Sequence, residues 1–301
     1  MTRPLPRGDE RTLQIDPEVR LRYQAFGRRD AAAPVILLAN GLGGRIYAWE
    51  HLLRRFEASH RILTWDYRGL FGSTRPSRPR GLAIGEHARD AVALLDHEQV
   101  ERATLVGWSM GVQVSLETAL AFPDRVRALG LLNGTYGQVF QTGMQPVCRV
   151  PGIPGILHGI VERLTRGSAV GTALAQAAAR SELHLRLASV FLRLWKNDRR
   201  LGELYRQYVD DVFGDSFVDY LRLFQELDAH SVYHHLPDVP QPTLVISGGM
   251  DWLTPAKDSF KIARRIPRAE HLHFPLGSHF AVIEYPEKVL SRLEQFLLVH
   301  G

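Results

Sequence analysis

Short, continuous apolar runs recur along this chain, and they restrict its fold more than any other feature. Val35 to Ala39 is the first, flanked by Pro34 and Gly41, and others follow at Arg61 to Trp65, Ala103 to Trp108, Arg127 to Leu132, Thr243 to Ser247 and Glu270 to Phe274. A strand with one face in water alternates apolar and polar residues. A strand without that alternation is covered on both faces, as in mainly parallel sheets. Helical spacing occupies the intervals Ile46 to Phe56, Ile84 to His97, Met110 to Phe122, Pro255 to Ile266 and Pro286 to Val299. Parallel neighbours need crossover connections, so the alternation predicts an α/β fold, a doubly wound and mostly parallel sheet.

Two segments depart from the alternation. From Thr12 to Phe26, apolar residues at two-residue spacing predict an antiparallel hairpin turning near Asp16 and Pro17. Between about Gln138 and His230, turns rich in Gly, Pro and Ala separate helical stretches such as Leu183 to Trp195 and Phe217 to Leu227. This interval is expected to be an inserted helical cap. The chain then divides into a first core part at 1–137, the cap at 138–230 and a second core part at 231–301.

With 301 residues, 45% of them hydrophobic, the chain can bury a substantial core. Its single cysteine, Cys148, cannot form an internal disulfide, which favours a reducing compartment. Met1 to Gln14 is charged and interrupted by Pro4 and Pro6, unlike a secretory signal, and no run approaches the roughly 18 to 20 apolar residues of a spanning helix. A cytoplasmic protein with no integral membrane segment is expected. The net charge of +5 comes from basic residues scattered among acids, and Arg75 to Arg80 is interleaved with Pro76 and Pro79, so nucleic acid is not an expected partner.

The chemistry-bearing segment is Thr104 to Val112, where an apolar run enters Gly107-Trp108-Ser109-Met110-Gly111 and then a helix. A serine on so sharp a strand-to-helix turn adopts strained backbone angles, and glycines two residues to either side let the two elements approach. The turn also sets Ser109 at a helix N-terminus, where free N–H groups and the helix dipole stabilise negative charge. The Met110 N–H is one expected oxyanion donor. The second is expected from Asn40-Gly41-Leu42-Gly43-Gly44, after the first buried run, at the N–H of Leu42.

A serine hydroxyl needs a base, and histidine titrates in the suitable range. Of 13 histidines, His51, His87 and His97 lie on predicted helices and His234 and His235 in a polar turn, whereas His279 follows the last apolar run at the carboxyl edge of the sheet. The same edge receives Asp251, after Leu244 to Gly249, and makes it the expected acid; capping the following helix is its competing role. His271 and His273, at strand spacing, read as one strand face rather than a metal site. Trp108 and Asn40 are candidate substrate contacts, and Met144, Leu157, Phe191 and Trp195 are candidate pocket residues.

Together, Gly107-Trp108-Ser109-Met110-Gly111, Gly249-Met250-Asp251 and Gly277-Ser278-His279-Phe280 resemble the α/β-hydrolase superfamily, in its nucleophile, acid and histidine order, over essentially the whole chain. Asp66-Tyr67-Arg68-Gly69-Leu70-Phe71-Gly72-Ser73 is similar to a turn of capped esterases, with Asp66 and Arg68 in structural roles. Asn40-Gly41 stands where many relatives carry His-Gly, and the second glycine of the Asp66 turn is displaced to Gly72. The resemblance implies a serine hydrolase acting on a small-molecule carboxylic ester without a cofactor. Thioesterase, lactonase, acyltransferase and cofactor-free haloperoxidase chemistry use the same residues and stay open. So does a hydrolase-fold ligand receptor with little turnover, and oligomeric state is not legible.

Overall fold

In a computed structural model that describes residues 5–167, 169–187, 190 and 199–301, the chain forms one eight-stranded sheet. The strands are β1 (Asp9–Gln14), β2 (Arg20–Gly27), β3 (Val35–Ala39), β4 (Arg61–Trp65), β5 (Ala103–Trp108), β6 (Val126–Leu132), β7 (Thr243–Gly248) and β8 (Ala269–Phe274). Their spatial order is β1-β2-β4-β3-β5-β6-β7-β8. The β1–β2 and β2–β4 pairs are antiparallel, and every pair from β4 to β8 is parallel. The hairpin turns as expected: Ile15 donates to Val19 at 2.8 Å, and the Asp16 carboxylate accepts the amides of Glu18 and Val19.

Each continuous apolar run is a strand, displaced by at most one residue at its ends. Every residue of β5 and β7 is buried, which explains why these segments lack alternation. The polar positions of β8 agree with its place at the sheet edge. There His271 and His273 both reach the Ser247 hydroxyl, at 2.8 and 2.9 Å. The crossover helices Ile84–His97 and Met110–Ala121 cover one face of the sheet and Glu50–Phe56 and Pro286–His300 the other, giving two hydrophobic cores separated by the sheet.

Between β6 and β7 no strand forms among the described residues. The chain runs instead through the helices Ile153–Thr165, Ala169–Ala179, Arg199–Val212 and Phe217–Ala229. Of the stretch Leu183 to Trp195, residues up to 187 are described and helical from 182, whereas Phe191 and Trp195 lie outside the described residues. Among the described residues, no helix is long and apolar enough to cross a membrane.

Two scaffold features bear on the site. A Cβ at Gly111 would overlap the Ala39 carbonyl, and one at Gly107 would overlap the carbonyl of Gly111, so strand and helix meet backbone to backbone. At Gly130 an added Cβ meets only side chains, Val106 at 3.3 Å and Leu293 at 3.5 Å. The second feature supports the loop after β3. Tyr67 donates its hydroxyl to the Asn40 carbonyl at 2.7 Å and packs its ring on the fully buried imidazole of His87, centroids 4.8 Å apart. Burial and the nearby Arg68 guanidinium hold His87 down to about 3.

Gly111→Ala is therefore expected to lose about 3 kcal/mol or more in urea unfolding, because rigid backbone has to move, whereas Gly130→Ala loses about 1 kcal/mol. His87 predicts an acid sensitivity. Its folded pKa is depressed, so its contribution is fully present above the unfolded value near 6.5 and is lost as pH falls from there towards 3, at roughly 1.4 kcal/mol per pH unit. His87→Phe should lose roughly 2 to 3 kcal/mol less than the parent between pH 7 and 4.5, read from paired urea midpoints. Equal losses in the two proteins would remove His87 as the cause.

Candidate functional site

Ser109 terminates β5 and precedes the helix Met110–Ala121, with φ 57° and ψ −113°. These angles are sparsely populated for any residue with a Cβ and cost of order 1–3 kcal/mol. Bonds at both sides hold the turn: Ser109 N–H donates to Leu132 O at 3.0 Å, and Val112 N–H to Ser109 O at 3.1 Å. Met110 is the first residue of the helix, so its N–H has no partner four residues back.

The expected acid and base meet. Asp251 follows β7, His279 follows β8, and His279 Nδ1 lies 3.0 Å from Asp251 Oδ2. Both are buried, Asp251 at 4% exposure and His279 at 8%. Oδ2 also accepts the Thr254 hydroxyl at 2.7 Å and the Asn133 amide at 3.0 Å, and Oδ1 accepts the Thr254 N–H at 2.8 Å. The buried carboxylate thus has four donors around it, including the imidazole, three at Oδ2 and one at Oδ1. Because the Thr254 hydrogen is directed to Oδ2, the network assigns a proton to His279 Nδ1 and leaves Nε2 as the ring acceptor. The competing capping role is not taken up: the helix Ala256–Arg265 has Pro255 as its N-cap and no side-chain cap bond, and the bonds of Asp251 to Thr254 close a turn just before it.

Trp108 connects the end of β5 to its neighbours. Its indole N–H donates to the His279 carbonyl at 3.0 Å, and its ring lies 5.4 Å from the His279 ring and 5.6 Å from Phe280. On its other side, a Cβ at Gly41 or Gly44 would come within 2.7 or 2.6 Å of the same indole. Glu284 completes the His279 support, accepting the Ser278 hydroxyl at 2.6 Å and its N–H at 2.8 Å.

Asn40 has its side chain engaged by the scaffold. Its amide donates to Thr64 Oγ1 at 3.1 Å and the Trp65 carbonyl at 2.9 Å, and its oxygen accepts the Trp49 indole at 2.7 Å. These bonds explain the position physically. A buried amide with this set of partners anchors the start of the loop, and its exposure is only 5%. Leu42 is buried in that loop, where Gly44 N–H returns to Gly41 O at 2.9 Å. Of the pocket candidates, Met144 donates its N–H to Leu253 O at 3.0 Å, beside Asp251, and Leu157 is half-buried on Ile153–Thr165.

Asp66 and Arg68 belong to the scaffold. Arg68 grips the buried Asp90 with two bonds, at 2.8 and 2.6 Å, and Asp66 accepts from Arg22 and the Gly72 N–H. Sequence reasoning missed Asn133 and Thr254. Asn133 has φ 46° and precedes Gly134, so an Asn-Gly pair at the end of an apolar run was the available signal. For Thr254 it was the position three residues after Asp251, at the Asp-initiated turn.

Comparison with known proteins agrees with this architecture. Residues 34–286 match the family model described as alpha/beta hydrolase fold. A protein of Agrobacterium fabrum named "Putative carbamate hydrolase RutD" is 28% identical over 278 residues, covering 92% of this chain and 98% of its own. The 3-oxoadipate enol-lactonase 2 of Acinetobacter baylyi is 29% identical over 194 residues, 55% of this chain and 71% of its own. Among solved structures, the enol-lactonase of Burkholderia xenovorans superposes with a TM-score of 0.70 at 23% identity, covering 94% of this chain and 98% of the other. With its sheet order, its strained serine turn and a family match spanning most of its length, the chain belongs to the α/β-hydrolase fold family.

Proposed function

We propose that the protein is a serine hydrolase that cleaves carboxylic esters of small to medium acyl chains through a covalent acyl-enzyme. The observation that carries this reading is the buried Asp251–His279 pair, ordered so that Nε2 is the acceptor, on the sheet edge where Ser109 stands in its strained turn. In the proposed reaction His279 Nε2 takes the Ser109 proton as Oγ attacks the acyl carbonyl, and Asp251 stabilises the resulting imidazolium. The Met110 and Leu42 N–H groups hold the oxyanion. His279 returns the proton to the leaving alkoxide, and water then releases the acid by the same steps in reverse roles.

The relatives support acyl chemistry, since a lactone is an internal ester and a carbamate presents a carbonyl open to the same attack. The segment between β6 and β7 is the proposed cap, a reading supported by Tyr208 and Met144, both within it, which bond the Leu42 and Leu253 carbonyls. Trp108 is proposed to orient the His279 loop through its indole and Asn40 the Leu42 loop through its amide, both acting on substrate through what they hold in place.

A fluorescent fluorophosphonate and a p-nitrophenyl ester chain-length series, with a γ-lactone arm, test the reading. Labelling and turnover are expected in the parent protein. Both should fall by roughly 10⁴-fold or more in Ser109→Ala and His279→Ala, and by roughly 10³ to 10⁴ in Asp251→Asn. A parent protein that neither labels nor turns over any ester would move the assignment to a ligand receptor on this fold. Separately, Asn133→Ala should cost about 1–3 kcal/mol in urea unfolding, by leaving the Asp251 carboxylate and the Ser278 carbonyl each short of a donor. The loss should shrink when Asp251 is already Ala, if the bond to the carboxylate is its origin.

A further inference from the structure

The loop that carries Leu42 is gripped from outside the sheet. Along the helix Arg199–Val212, three residues meet it: the Tyr208 hydroxyl donates to the Leu42 carbonyl at 3.1 Å, Asp211 faces Arg45 at 3.6 Å, and Val212 packs on Gly43 so closely that a Cβ there would overlap its methyl. Tyr220, on the helix Phe217–Ala229, closes the same side, 3.1 Å from that Cβ position and with its hydroxyl 3.4 Å from that of Tyr208. Gly43 has φ +73°, a conformation that residues with a Cβ rarely adopt, and the contact leaves no room for one.

Two bonds fix the peptide planes around Leu42. The Gly41 carbonyl accepts the Gly44 N–H, which directs the Leu42 N–H to the opposite side of the planar trans peptide. The Leu42 carbonyl belongs to the next plane and has Tyr208 as its donor. The two planes share the Leu42 Cα, so a displacement of the Leu42–Gly43 peptide shifts that atom and re-aims the N–H bonded to it, and a misaim of a few tens of degrees weakens an oxyanion bond steeply.

We propose that Tyr208 is a positioning residue that holds the Leu42–Gly43 peptide, and so couples the seating of the helix Arg199–Val212 to the aim of the Leu42 N–H. The proposal rests on the Leu42 oxyanion assignment made above. Burial keeps the Tyr208 phenol well above its ordinary value, so it remains a neutral donor throughout the working pH range, and its effect carries no pH dependence of its own. Around the hydroxyl stand Tyr220 and Tyr47, which stay protonated for the same reason, with Tyr205 a turn away and the Arg45–Asp211 pair at the end of the helix.

Tyr208→Phe removes one oxygen and keeps the ring. Tyr205→Phe, on the same helix, removes a hydroxyl that faces His184 at 3.0 Å instead of the loop. On the best p-nitrophenyl ester, Tyr208→Phe should lower kcat about 10-fold or more, with KM within about 3-fold and the pH profile unmoved. It should weaken a trifluoromethyl ketone, which forms an oxyanion on Ser109, by the same factor, and leave a carboxylic acid product inhibitor unchanged. Tyr205→Phe should stay within about 2-fold of the parent throughout.

A Tyr208→Phe protein with the parent's kcat and the parent's ketone affinity overturns the proposal while leaving the serine-hydrolase reading intact. Equal losses in both variants overturn it too, assigning the effect to helix packing. Failure of the parent to label with fluorophosphonate overturns both readings together. Should Tyr208→Phe melt more than about 10 °C below the parent, Tyr208→Leu, which also has no donor, with a parent-like melting point and parent-like kcat would overturn it instead.

Discussion

The backbone of Ser109 is the constraint around which the rest is arranged. At φ 57° the residue costs energy that its own contacts do not return, so its surroundings have to impose the conformation. They do so by removing side chains. Gly107, Gly111 and Gly134 each stand where a Cβ would overlap or crowd a neighbour, against Gly111 O, Ala39 O and Val112 respectively. The helix Met110–Ala121 therefore rests directly on β3 and β5, and its free N-terminal amides arrive at the carboxyl edge of the sheet. Trp108 follows from the same turn, because the residue before a strained serine on a fully buried strand projects to the other face. There its indole separates the Gly41–Gly44 loop from the His279 loop and touches both.

Electrostatics complete what sterics begin. Asp251 and Asp90 are both buried carboxylates, and their partners separate their roles. Asp90 meets a guanidinium in a two-bond grip, and even so burial raises it to about 6. Asp251 has no arginine or lysine among its bonded partners; neutral donors from Asn133 and Thr254, together with His279, surround it. A guanidinium at Asp251 would compete with an imidazolium for the carboxylate, whereas neutral donors offset its burial and leave its charge available to the ring. Each such bond is worth about 1.5–3 kcal/mol, enough together to offset several kcal/mol of desolvation. Arg68–Asp90 is thus a pair closed by a guanidinium, and Asp251–His279 is one surrounded by neutral donors, a difference of partners rather than of residue type.

The strands were legible because double burial leaves an unbroken apolar signature, and Val35–Ala39, Arg61–Trp65 and Ala103–Trp108 were readable to the residue. That Asp251 and His279 share one edge was legible for a related reason: strand direction alone carries a residue after a strand end to that edge. Asn133 and Thr254 were not identified, since their meaning depends on which strand neighbours which; Asn133 reaches Asp251 only because β6 lies beside β7. The place of Asn40 in the loop makes it a candidate substrate contact, whereas its three bonds to Thr64, Trp65 and Trp49 come from two separate segments that periodicity does not connect. Helical spacing between β6 and β7 was visible, but not that one of those helices lies against the Leu42 loop.

That contact also bears on how the work is divided between the two parts of the chain. The sheet supplies Ser109, Asp251 and His279 from loops at its strand ends, and the Asp251 loop receives two further backbone bonds, from Met144 and Gln145. The loop at Leu42 is different, because one of its faces rests on Trp108 and the other on Tyr208, Val212 and Tyr220. A loop held from both sides has the correct shape only when both sides are seated. In the proposed reaction this places the nucleophile and base under the control of the sheet and one oxyanion donor under the joint control of sheet and helices. Replacement of residues on Arg199–Val212 then acts on the proposed reaction through the loop, with no contact to Ser109, Asp251 or His279 required.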